Sequence, residues 1–218
     1  MSSCCENNCA VEAMRDRQRS TLLTVLWINA LMFLVIAVAA IYGKSTALLA
    51  DSLDNLGDAL TYALSLYAVS RSAKTKARVS LFKGGLIFLA ASVVIAHIIE
   101  RLVSPVMPSY ELMGGFSLVG LLANGVCLFL LWRHRQEDIN MSSVYECSRN
   151  DIAANVSVMV AALGVWAFES AWPDIIIATL LATLLLTSSA RVIRRALTEL
   201  SGKRATGAKV DSSDAPLP

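Results

Sequence analysis

Charge is the scarcest commodity in this 218-residue sequence: Asp, Glu, Lys and Arg together make up 17% of it, and histidine occurs twice. A soluble domain of this length is normally about one quarter charged. The net charge is only +2, so no basic field argues for a nucleic-acid partner. The five cysteines, Cys4, Cys5, Cys9, Cys127 and Cys147, are not the spaced pairs of a small secreted disulfide scaffold. Free thiols on the reducing side of a membrane fit them better. No small-residue cleavage site follows the first apolar block, which is too long for a signal peptide.

What is abundant is apolar surface, at 56% of residues and a mean hydropathy of +0.58. It comes in long blocks. A bilayer core about 30 Å thick takes roughly 20 helical apolar residues, and six segments qualify: Thr21 to Tyr42, Ala47 to Val69, Leu81 to Val103, Tyr110 to Trp132, Ser142 to Phe168, and Trp172 to Ile193. Turn chemistry separates them at Gly43, Pro105, Pro108 and Pro173. The expected fold is therefore an all-α membrane protein, a six-transmembrane-helix bundle.

Lys and Arg set its orientation. Arg15, Arg17 and Arg19 precede the first span. Arg71, Lys74, Lys76 and Arg78 lie between the second and third. Arg133 and Arg135 follow the fourth, and Arg191, Arg194, Arg195, Lys203, Arg204 and Lys209 follow the sixth. Opposite loops carry only Lys44 and Arg101, so the N- and C-termini are expected in the cytoplasm. The predicted organisation is a cysteine-bearing cytoplasmic tail (1–19), the membrane domain (20–196), and a short disordered tail (197–218) too poor in apolar surface to fold alone.

Acids stand where acids are costly. The second span contains Asp51, Asp54 and Asp58, which fall within about 60° of one another around a helix. Placing one acid at mid-membrane costs about 2.5–3.5 kcal/mol even on a lenient scale. Hydrogen bonds to a neighbouring helix or pairing with a buried Arg are the plain alternatives, and Asp51 lies nearer the end of the span. In the fifth span Cys147, Asp151 and Asn155 recur at i, i+4, i+8, again on one face. Arg149 lies about 200° round from Cys147 and points elsewhere. Two helices that each present a ligand pair at i, i+4 can close a four-coordinate site. Three carboxylates and a thiolate suit zinc or cadmium better than magnesium or calcium, whose all-oxygen sites exclude sulfur. His97 and Cys127 read as packing or hydrogen-bonded residues.

At these residues the chain resembles the cation diffusion facilitator family, from about Asn29 to about Leu200. Ala47-Leu-Leu-Ala-Asp51 with Asp54 and Asp58 is similar to its second-span signature. The spacing of Asn140, Cys147 and Asp151 is similar to its Asn, His and Asp in the fifth. Glu100-Arg101 through Pro108, Val119-Gly-Leu-Leu-Ala-Asn124 and Trp172-Pro-Asp174 add three further likenesses in order. The resemblance implies a divalent transition-metal efflux transporter, zinc or cadmium first, that exchanges metal for protons by alternating access. Lead, cobalt, iron or manganese as cargo, or a non-transporting metal sensor, are the alternatives.

It implies Asp54, Asp58, Cys147 and Asp151 as ligands, with Asp51 and Asn155 supporting them or coupling to protons. It also implies a homodimer in lipid, in a bacterial inner membrane. Neither an enzyme nor a prosthetic group is expected; Zn²⁺ or Cd²⁺ is cargo and H⁺ the counter-ion. Cys4, Cys5 and Cys9 are candidates for capturing thiophilic ions on the cytoplasmic side. The sequence departs from the family in having Cys147 where His is usual, no His-rich loop around His134, and only 25 residues after Ile193 where a cytoplasmic domain usually follows.

Overall fold

A computed structural model describes residues 3–68, 73–132 and 139–201. Six helices follow one another: α1 (Ser3–Gly43), α2 (Thr46–Ala68), α3 (Ala73–Val103), α4 (Tyr110–Trp132), α5 (Ile139–Phe168) and α6 (Trp172–Leu200). No strand occurs among the described residues. Five of the helices are long and apolar enough to cross a membrane, within Arg19–Gly43, Ala77–Val103, Tyr110–Trp132, Ser148–Phe168 and Trp172–Leu200. The exception is α2, and its three aspartates are the reason. The chain is a helical membrane protein whose second helix is too polar to face lipid by itself.

The packing resolves that conflict. α2 touches α1, α3, α5 and α6, while α3 pairs most closely with α6, and α4 with α5. Trp27, Leu31, Ile41, Phe82, Phe129, Leu163 and Trp166 belong to an outward-facing apolar skin from which α2, among the described side chains, is missing. A lipid-facing position would leave carboxylates without partners; at the centre of the bundle they can meet polar groups from other helices.

One end of the bundle holds the α1–α2, α3–α4 and α5–α6 junctions, and there the core is dense and apolar. Ile36 and Ala39 of α1, Leu48 of α2, Val94 of α3, Met113 of α4, Val158 and Val165 of α5, and Leu181 of α6 form one buried cluster. Toward the opposite end the clusters are smaller, one around Val25, Tyr62, Cys127 and Leu131, another around Ile87, Ala91 and Leu185.

Gly43 is a break in the sequence, yet it is Lys44, at φ 53°, that adopts the left-handed conformation closing α1. Gly43 has a different task. A Cβ there would lie 3.2 Å from Leu112 Cβ, and its carbonyl accepts the Ser109 amide at 2.9 Å. The missing side chain lets α4 start against the end of α1.

Asp174 fixes the start of α2 from the first turn of α6. It is buried, accepts Ser45 Oγ–H at 2.6 Å, and takes the backbone N–H groups of Thr46 and Ala47 at 2.8 and 3.0 Å. Ser45 Oγ in turn accepts the Leu48 amide at 3.1 Å, as an N-cap. A carboxylate thus satisfies donors that a helix start leaves unpaired, at the positive end of its dipole. Hydrogen bonds to charged groups contribute about 1.5–3 kcal/mol. Asp174→Ala is expected to lower stability by that amount, with a smaller loss for Asp174→Asn. Thermal unfolding of the full chain in detergent measures it, and an unchanged midpoint in Asp174→Ala contradicts this role.

Candidate metal-transport site

The acids of α2 and α5 meet. Asp58, in the middle of α2, is buried, and its carboxyl lies within hydrogen-bonding reach of the Asp151 carboxyl across the α2–α5 contact. Asp151 is buried too. Asp54 is half-buried, and the charges acting on it are those of Asp58 and Asp51. The three aspartates of α2 therefore form one electrostatic group, as their helical spacing requires.

Asp51, also buried, sits further toward the Ser45 end of α2. Its main-chain carbonyl accepts Asn55 Nδ2–H at 2.9 Å, and its Oδ2 is buried without a hydrogen-bond partner. Cys147 lies on α5 one turn before Asp151, but its side chain lies outside the described residues. So do the side chains of Cys4, Cys5 and Cys9, which fall on the first turns of α1. Among the described residues, no three His, Cys, Asp or Glu side chains already stand close enough to enclose an ion. Asp58 and Asp151 supply two of the expected ligands at one place.

Tyr62 is one partner that the sequence reading left out. It is fully buried one turn beyond Asp58, and its hydroxyl donates to Asp58 Oδ2 at 3.4 Å. Its i, i+4 spacing from Asp58 was the available signal. Cys127 was read as packing, and it is buried with a free thiol. Its Sγ nonetheless lies 4.0 Å from Asn29 Nδ2 and within the electrostatic field of Asp58. Asn29 also donates to the Val25 carbonyl at 2.9 Å. Buried polar groups of α1, α2, α4 and α5 thus recur on this side of the bundle, among them Asn124 and Ser148, whose Oγ donates to the Asn124 carbonyl at 3.4 Å. Arg149 is exposed, as its angle on the helix predicts. His97 bonds within α3, its Nδ1 3.2 Å from Glu100 Oε2 and its Nε2 3.5 Å from an Arg101 nitrogen, remote in sequence from the acids.

Residues 22–201 match the cation efflux transmembrane domain. The chain belongs to the cation efflux family. It is thus a metal-cation transporter of the cation diffusion facilitator type, and the matched stretch takes in every residue of the α2–α5 site. A search of curated proteins gave no significant match.

Asn155 of this cation efflux protein takes a position that its spacing alone did not reveal. Its Nδ2 donates to the Asp151 main-chain carbonyl at 2.8 Å. Its Oδ1 occupies the space a side chain at Gly120 of α4 would need, beside Ile36 of α1. Asn155 wedges α5 against α4 directly beneath the acid site. Forcing a methyl group into a packed core costs about 1–3 kcal/mol. Gly120→Ala is expected to lose that much stability, and Asn155→Ala added to it to restore part of the loss. Equal stability of wild type and Gly120→Ala in thermal unfolding contradicts the wedge.

Proposed function

We propose that this cation efflux protein exports a divalent transition-metal ion, zinc or cadmium, from the cytoplasm in exchange for protons. The observation that carries the reading is the meeting of Asp58 and Asp151 between α2 and α5, in the middle of a membrane bundle. Two carboxyl groups within hydrogen-bonding reach of each other can hold either a proton or a cation between them. That either/or is the chemistry of an antiporter. A dication that takes the site displaces protons, and an emptied site takes them back. Asp54 supplies a third carboxylate and Cys147 a sulfur, which favours thiophilic ions over manganese.

Six spans with both termini in the cytoplasm complete the account, following the Lys and Arg asymmetry of the loops. α2 crosses as the sixth span because the other helices shield it. The Ser45 end then faces outward, and its dense apolar cluster blocks the way out. The Tyr62 end faces the cytoplasm, with smaller clusters and a polar lining. Alternating access requires that this balance be reversed by a shift of helices around the site. A homodimer in a bacterial inner membrane belongs to the same reading, as does metal capture by Cys4, Cys5 and Cys9.

Proteoliposomes containing only this chain, loaded with a pH dye and a metal indicator, test it. Asp58→Ala and Asp151→Ala are each expected to reduce metal-dependent proton flux at least about 100-fold, since loss of a mere supporting residue costs 10–100-fold in comparable sites. Wild-type protein that binds metal but moves none favours a sensor. Cys147→His is expected to lower the ratio of cadmium to zinc transport, because imidazole is a harder ligand than thiolate. An unchanged ranking across zinc, cadmium, manganese and iron removes Cys147 from the ligand set.

A further inference from the structure

A positive charge on α3 acts on the acid site. Lys83 lies on α3 inside the apolar stretch Ala77–Val103, and it is half-buried. One turn further along the same face, Ile87 packs on Gly57 of α2: a Cβ at Gly57 would lie 3.7 Å from Ile87 Cγ1. The next residue of α2 is Asp58. The register of α2 against α3 therefore puts Lys83 one turn from Ile87, level with Thr61 and about one turn beyond Asp58. A four-carbon stem spans the remaining distance. Among the described residues, Lys83 is the cation whose charge acts on Asp58.

Two roles compete for a lysine so placed. It can extend its ammonium along the helix to the membrane boundary, with the stem covering apolar surface. Alternatively it serves the site. A dication and an ammonium that share one carboxylate repel each other, so the two cannot hold Asp58 together at full strength.

We propose that the Lys83 ammonium is a tethered cation of the transport site, competing with a dication for Asp58 and moving toward the cytoplasmic end when the dication arrives. The inference rests on the exporter reading above. It assigns α3 a part in a site otherwise built by α2 and α5. Metal affinity is then set by competition with a charge the protein carries itself. A transported ion must bind firmly enough to enter and weakly enough to leave; Lys83 supplies the second condition, since its return to Asp58 favours release.

The test uses the full chain in detergent and titrates Cd²⁺ directly against wild type, Lys83→Met and Lys83→Arg, each also on an Asp58→Asn background. Removing the competing charge is expected to tighten Cd²⁺ binding roughly tenfold in Lys83→Met. Lys83→Arg, which keeps the charge, stays within about twofold of wild type. The gain disappears when Asp58 is Asn. Thermal unfolding gives an independent readout: Cd²⁺ raises the midpoint of Lys83→Met more than that of wild type, because the ion there meets no competing ammonium. Equal Cd²⁺ affinity in wild type and Lys83→Met overturns the proposal, as does a tenfold gain that persists with Asp58→Asn, or weaker binding in Lys83→Met. A wild-type chain that binds no dication overturns the exporter reading as well, so the two failures are distinct.

Discussion

Three carboxylates on one stripe of α2 cannot be left in hydrocarbon, and most of the architecture answers that constraint. Each acid at mid-membrane costs a few kcal/mol unless it finds a partner. The chain places α2 where four other helices cover it, and assigns the lipid-facing work to apolar faces of α1, α3, α4, α5 and α6. The same acids that make α2 unsuitable for lipid make the interior of the bundle attractive to a cation. Burial of α2 and the meeting of Asp58 with Asp151 are two consequences of one arrangement of charge.

Holding a polar helix at the centre requires ties that apolar packing does not supply. Asp174 grips the first turn of α2 from α6, satisfying backbone donors that would otherwise be buried without partners. On α5 the corresponding precision comes from Asn155, whose amide bonds Asp151's own carbonyl and fills the gap left by Gly120. One residue fixes the start of α2 against α6, the other how closely α5 approaches α4. Between them the two carboxyl groups meet. The bundle is also asymmetric, with its densest apolar packing at the Ser45 end and smaller apolar clusters toward the Tyr62 end. A site sealed more firmly on one side than the other suits alternating access, where the seal has to change sides.

The legible part of this molecule was whatever depends on one helix at a time. The shared face of Asp51, Asp54 and Asp58 follows from 3.6 residues per turn, and five of the spans follow from apolar length. At the end that holds the helix junctions their boundaries fall within one residue of the helix ends, whereas α1, α3 and α6 run on well past the predicted spans at the other end. Apart from the meeting of α2 and α5, which the ligand pairs and the family resemblance implied, contacts between helices were not legible. Nothing along the chain places Cys127 or Lys83 near Asp58, because that depends on the register of α4 and α3 against α2. Lys83 did leave a trace, as a charge inside an apolar stretch. Tyr62 was within reach of the same periodicity argument that found the acids. Gly43 looked like a turn residue, yet close packing on Leu112 explains it, and Lys44 takes the strained conformation instead. Asn155 shares a face with Asp151 as its spacing requires, but its amide serves the backbone and the α4 contact.

That a single dication is held jointly by α2 and α5 is the claim on which the rest depends, and a double-mutant cycle addresses it most directly. Zinc or cadmium affinity is measured for Asp58→Asn, Asp151→Asn and the double variant of the purified chain. If both carboxylates hold one ion, either substitution removes most of the binding and the second adds little, giving a large coupling energy. Losses that simply add, with each single variant keeping the affinity expected of an independent site, contradict the account.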